Sequence, residues 1–161
     1  MKKIEVIYPL HTDEEMIYEM KHYCFFKKNI LDLYKNSSVI YNPYYYYEFT
    51  SKVKVNNKIR DYNYVLLIDG LSGEPIIIDK NIQLMGFEQK ELRGQVQIPT
   101  LQETEAEEIA SDNLTKAVYG KYSKFPEYQI QHNKIIYRKY YNINYKGKRA
   151  FRVPGDCYKV I

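Results

Sequence analysis

Lys3 to Tyr8 reads KIEVIY, with Ile4 and Val6 on one side of an extended chain. This period of two predicts a strand. Pro9 ends it, and Thr12-Asp-Glu-Glu15 follows. A threonine three residues before a glutamate is a capping box: the hydroxyl takes a free helix amide and the carboxylate reaches back. Met16, Met20, Tyr23, Cys24, Leu31 and Tyr34 then keep helical spacing to about Lys35, and Asn36 to Ser38 stops the helix. From Gly94 the pattern returns. Val96 and Ile98 predict a short strand, Pro99 follows, and Thr104-x-x-Glu107 forms a second capping box with Thr100-x-x-Glu103 as a rival start. Ile109, Ala110, Leu114, Ala117 and Val118 supply the apolar stripe, and Gly120 is the expected stop.

The segments after each helix also correspond. A tyrosine-rich strand leads to a second strand, a Gly/Asp turn and a short last strand, with IDGLSGEPIII and VPGDCYKVI in equivalent places. Tyr145 to Arg149 reads as a tight hairpin. The pattern therefore predicts an α+β fold of two related β-α-β-β-β halves, 3–79 and 94–161, joined by 80–93. Each half would lay its helix on its own antiparallel sheet, since a helix stripe and a sheet face must bury each other.

The strand Tyr41 to Phe49, YNPYYYYEF, has more rings than a half-buried strand needs. Successive side chains point to opposite faces. Tyr41, Pro43, Tyr45, Tyr47 and Phe49 share one face, and Tyr44 and Tyr46 share the other with Asn42 and Glu48. Either the two halves pack together and cover the second face, or Tyr44 and Tyr46 stand open as contact residues. Tyrosine suits contact because it presents a large rigid area with few rotors to freeze. Tyr44, Tyr46 and Tyr47 are the candidate protein-binding residues. Pro43 marks a strand end, edge or bulge, and an edge would accept a partner's extended peptide.

Charge adds a second candidate. Thr115 to Ile161 holds eleven Lys/Arg against two Asp/Glu, whereas the residues before it hold thirteen against eighteen. Lys134, Tyr137, Arg138, Lys139, Tyr140, Lys146, Lys148 and Arg149 interleave cations with rings, the chemistry that neutralises phosphates and stacks on bases. A solvated basic strand face is the plainer reading. Opposite charges on the two parts of the chain would also serve self-assembly.

Enzyme chemistry finds little footing. The histidines are His11, His22 and His132, and Cys24 and Cys157 make neither a disulfide framework nor a metal knuckle. No His-Glu-x-x-His, phosphate loop or Gly-x-Ser-x-Gly occurs. Asp69, Glu74 and Asp79 lack the spacing of a dedicated Ca²⁺ loop. No catalytic residue, metal ligand or cofactor is assigned. No stretch approaches a membrane span, and no signal peptide is recognised, so the expected location is the cytoplasm unless the chain was trimmed from an exported precursor.

Asp69-Gly-Leu-Ser-Gly-Glu74, the helix start Thr104-Glu-Ala-Glu-Glu-Ile109 and the strand VIYNPYYYYEF carry a family likeness. The chain resembles tandem PepSY-like, cystatin-like α+β modules of bacterial proteins. Pro154-Gly-Asp-Cys-Tyr-Lys159 departs from the pattern in lacking a Ser/Thr-Gly pair. The resemblance implies binding or restraint of peptidases. The expected function is non-catalytic recognition of a protein or peptide, with enzyme inhibition as its most specific form and nucleic-acid binding as the alternative.

Overall fold

Branched and aromatic side chains fit a pleated, buried surface, and most of the described residues lie in strands. A computed structural model describes residues 2–8, 10–23, 29–79, 86–92, 95–145 and 148–156. In chain order the described elements are β1 (Lys2–Tyr8), α1 (Asp13–Tyr23), α2 (Ile30–Lys35), β2 (Ser38–Val55), β3 (Lys58–Asp69), β4 (Pro75–Asp79), β5 (Gly86–Leu92), β6 (Gln95–Val96), α3 (Glu103–Tyr122), β7 (Glu127–Tyr145) and β8 (Lys148–Pro154). The fold is mixed α+β with a large, mostly antiparallel sheet. The strand order is β4-β3-β2-β7-β1-β5, with β6 beside β2 and β8 beside β7. No helix among the described residues is long and apolar enough to cross a membrane.

The chain packs as two units, each discontinuous in sequence. The first takes 1–42, 86–97 and 137–158, and the second takes 43–85, 98–136 and 159–161. These units cut across the expected halves. β2 and β7 each run through both.

In the first unit, Met16, Met20 and Ile30 of α1 and α2 pack on Tyr141 and Ile143 of β7 and Val153 of β8. Ile4 and Val6 of β1 pack with Tyr41 and Tyr137. The Thr12 capping box forms as expected: Thr12 N–H donates to Glu15 Oε2 at 2.8 Å and Glu15 N–H to Thr12 Oγ1 at 3.3 Å. The expected connector is not plain linker, because Gly86–Leu92 is a strand paired antiparallel with β1 from Lys2↔Leu92 to Tyr8↔Gly86.

In the second unit, α3 turns Ala106, Ala110, Leu114 and Val118 inward, one stripe at steps of four. It packs on Tyr45, Tyr47, Phe49 and Val53 of β2 and on Tyr64, Leu66 and Ile68 of β3. A helix from the later part of the chain thus lies on strands from the earlier part, and the helices of the earlier part lie on strands of the later part. This replaces the expectation that each helix covers its own half. The helix ends also differ. Gln102 precedes the first turn, its N–H donating to Glu105 Oε2 at 3.2 Å, so neither Thr100 nor Thr104 caps the helix. Gly120 lies inside α3, and the chain leaves it through Ser123 at φ 54°. The β2–β3 ladder runs from Tyr44↔Asp69 to Val55↔Lys58. Asn56 and Asn57, at φ 50° and 62°, close it. Positive φ at both central residues is what a two-residue hairpin turn demands.

Candidate functional site at the β2–β3 hairpin end

The tyrosines of β2 point inward. Tyr44 and Tyr46 are 4% and 3% exposed and Tyr47 is fully buried, so the alternative in which the second face is covered holds, and none of the three candidate binding residues stands open. On the α3 face the phenols tie down the segment that leads into the helix. Tyr45 OH donates to the Leu101 carbonyl at 2.6 Å and Tyr47 OH to the Glu103 carbonyl at 3.4 Å. Burial first, then the nearby helix carboxylates, push both phenols above the usual tyrosine range. On the opposite face Tyr46 OH donates to Glu48, and the Lys134 ammonium lies 5.4 Å above the Tyr46 ring.

The Asp69–Glu74 turn completes this clamp. Asp69 Oδ1 accepts the N–H groups of Leu71 at 2.8 Å and Ser72 at 3.2 Å, and Gly73 N–H reaches the Asp69 carbonyl at 2.8 Å. Gly73 sits at φ 77°, a conformation that glycine adopts without strain. The Gly70 carbonyl accepts from Thr100 N–H and Leu101 N–H, each at 2.9 Å. With its oxygen engaged by backbone, Asp69 is a turn-former, and no described group of three or more His, Cys, Asp or Glu is arranged to hold a metal.

The expected nucleic-acid surface is also drawn into the fold. Arg138 and Asp156 form a buried two-pronged pair, Nε–Oδ2 at 3.0 Å and Nη2–Oδ1 at 2.9 Å. Tyr137 and Tyr140 are buried. Arg138 and Arg152 each lie 5.5 Å from the Tyr140 ring, and the Lys139 ammonium lies 4.9 Å above Tyr141. These cations face the protein's own rings and carboxylate, so Tyr137, Arg138 and Tyr140 do not form an open platform for bases. Lys146 and Cys157, with Cys24 and the side chains of His132, Lys148 and Arg149, lie outside the described residues.

What does open to solvent is the hairpin end of the second unit. The sequence KVKV sends Val53 into the core and Lys52 and Lys54 outward. Lys58, Ile59 and Arg60 on the returning strand are exposed, Ile59 by 71%. The segment after α3 is tied to this hairpin, as Lys124 Nζ donates to the Lys54 carbonyl at 2.8 Å. Its neighbour Phe125 is 75% exposed and rests on Tyr119, ring centres 4.9 Å apart. Tyr62 and Tyr122 meet at 4.9 Å, with the Lys121 ammonium over both. The hydrogen bond with Tyr122 first, and Arg60 and Lys121 beside it, hold the Tyr62 phenol below its usual range. Across 52–61 and 119–127, six cations stand against Asp61 and Glu127.

A second open feature lies along α3. A groove of about 560 Å³ is lined by Glu107, Glu108, Ser111, Asp112, Thr115 and Tyr128 among others. Lys116 neutralises Asp112 at 2.7 Å. Tyr128 meets the buried Phe49 edge-on at 5.6 Å, which fixes its ring as one wall. Neither surface contains a candidate residue of the sequence. The signal available for the hairpin was Asn-Asn between strands of alternating Lys and Val. For Phe125 there was none, because an isolated ring before a proline is as often buried.

No protein-family model matches this chain, and no match was found among curated proteins or among solved structures.

Proposed function

We propose that this chain is a non-catalytic binding protein that engages a negatively charged protein or peptide at the hairpin end of its second unit. The observation that carries the reading is Phe125, held on Tyr119 at 4.9 Å and left 75% exposed among cations. Aromatic side chains and arginine dominate the energetics of interfaces when a partner covers them. A phenylalanine buries about 150–250 Å². At about 25 cal/mol per Å², covering the exposed three quarters of it contributes roughly 3–5 kcal/mol before the costs of association. Lys52, Lys54, Lys58, Arg60, Lys121 and Lys124 would steer an acidic partner and set its orientation. Restraint of a peptidase or another enzyme is the most specific form of this function. The Asp69–Glu74 turn and its grip on the α3 lead-in support the likeness to PepSY-like, cystatin-like modules.

The same proposal includes a duplicated ancestry with exchanged helices. β1 runs parallel to β7 at Val6↔Tyr137, and β6 runs parallel to β2 at Ile40↔Gln95 and Tyr41↔Val96. Each of these short strands precedes a helix that starts with a glutamate-backed cap. Two β-α-β-β-β units that traded helices would give this pairing.

Fluorescence anisotropy with a labelled Glu/Asp-rich peptide tests the binding function. Wild-type protein binds at low salt, and Phe125→Ser and Lys54→Glu each weaken binding while circular dichroism stays unchanged. Absence of binding by folded wild type would remove the proposal. Tighter binding of a single-stranded oligonucleotide than of the peptide would replace it with the nucleic-acid alternative.

A further inference from the structure

The second unit carries two open surfaces of opposite sign. The hairpin presents Lys52, Lys54, Lys58 and Arg60 around Ile59. The α3 groove presents Glu107 and Glu108, which have no ion pair among the described residues, and the exposed edge of Tyr128. We propose that the acidic partner of the hairpin end is a second copy of this chain, its α3 groove receiving the hairpin. This rests on the binding function proposed above and names its partner.

Charge supports the match. The hairpin's end is fixed, with Asn56 and Asn57 at positive φ in the turn and the Lys54 carbonyl held by Lys124. The α3 groove is shallow and open to solvent, so a hairpin end can lie along it. Ile59 is the apolar group to set against Tyr128, and the flanking lysines meet Glu107 and Glu108. The Ser111 hydroxyl is placed to pair with the hairpin's polar groups, while the Thr115 hydroxyl already donates to the Ser111 carbonyl at 2.9 Å. Because groove and hairpin are different surfaces, the contact is head-to-tail. Each copy offers one of each, so association closes into a ring or continues as a filament.

Sedimentation velocity on the full chain tests this. The salt is varied from about 0.01 M, where charges act over ~30 Å, to about 1 M, where they act over ~3 Å. Wild type associates at low salt and dissociates at high salt. Lys52→Glu/Lys54→Glu/Lys58→Glu leaves both surfaces acidic, since only Arg60 remains of the hairpin's four cations, and Glu107→Lys/Glu108→Lys leaves both basic. Each alone is expected to weaken association roughly tenfold or more through like-charge contact. Mixing the two variants restores it, because each supplies the surface the other lacks. Combining all five changes in one chain also restores it. Circular dichroism confirms that every variant is folded.

A wild type that stays monomeric at low salt overturns the proposal, as does a mixture of folded variants that fails to associate. If the chain remains monomeric while the acidic peptide still binds at Phe125, this inference falls and the binding function stands. If neither occurs, both fall.

Discussion

Gly70→Ala is the change that most directly strikes the clamp on α3. A Cβ there would lie 3.0 Å from the Pro43 carbonyl oxygen, 3.2 Å from Pro43 Cγ and 3.2 Å from Pro99 Cβ. These are backbone and ring atoms, so no rotamer change relieves them. Gly70 also donates to Pro43 O and accepts from both Thr100 and Leu101, each bond at 2.9 Å. Any shift that clears the methyl loosens all three. Overpacking of this kind costs about 1–3 kcal/mol. Urea denaturation followed by circular dichroism reads it directly. With a slope of about 1–3 kcal/mol per molar for a chain of this size, a loss near 2 kcal/mol lowers the midpoint by roughly 1 M. Gly120→Ala is the internal control. It lies within α3, and nothing stands within 4 Å of its added methyl. It should raise stability by about 0.5–1 kcal/mol, because alanine loses less freedom in a helix. Equal midpoints for wild type and Gly70→Ala would refute the reasoning about the clamp.

Arg138→Met leaves the Asp156 carboxylate buried without its partner and should cost about 3–5 kcal/mol, whereas Arg138→Met with Asp156→Leu regains most of the loss; a single variant as stable as wild type in urea would contradict this. Burial raises the phenols of Tyr41, Tyr45 and Tyr47. Their folded forms therefore hold protons that the unfolded chain releases near pH ~10. The associated stability is full below that pH and lost as pH rises above it. Phenolate absorbance should show a fraction of the 19 tyrosines ionising normally and the rest only with unfolding; one step near pH 10 for all of them in folded protein would be the contrary result. Fragments 1–85 and 86–161 should each lack a cooperative transition and regain one on mixing. The core of the second unit draws β2 and β3 from the first fragment and α3 from the second. A fragment 1–85 that melts cooperatively alone would count against this.

Local chemistry was legible and distant chemistry was not. The Thr12–Glu15 cap lies within three residues and formed as read. The start of α3 was misplaced because Thr100 serves a partner thirty residues away, its N–H on the Gly70 carbonyl, while Gln102 and Glu105 take the cap. The alternation of β2 correctly separated Tyr45, Tyr47 and Phe49 from Tyr44 and Tyr46. It could not show that both sets are buried, because that depends on which elements cover each face. The α3 stripe was legible, yet the surface it covers was not: a helix stripe specifies apolar contact and carries no address. Arg138 shows the same limit for charge. In sequence it belongs to a basic run, and only the return of Asp156 from beyond β8 converts it into a buried pair.

Contact at the hairpin end of the second unit carries the proposed function. The measurement that tests it most directly is an amide-resolved NMR titration of the full chain with the acidic peptide, across salt. The account predicts shift changes concentrated at 52–60 and 119–125 that fade as salt rises. Changes confined to other surfaces, such as the edge strand β5, with 52–60 and 119–125 unmoved, would contradict it.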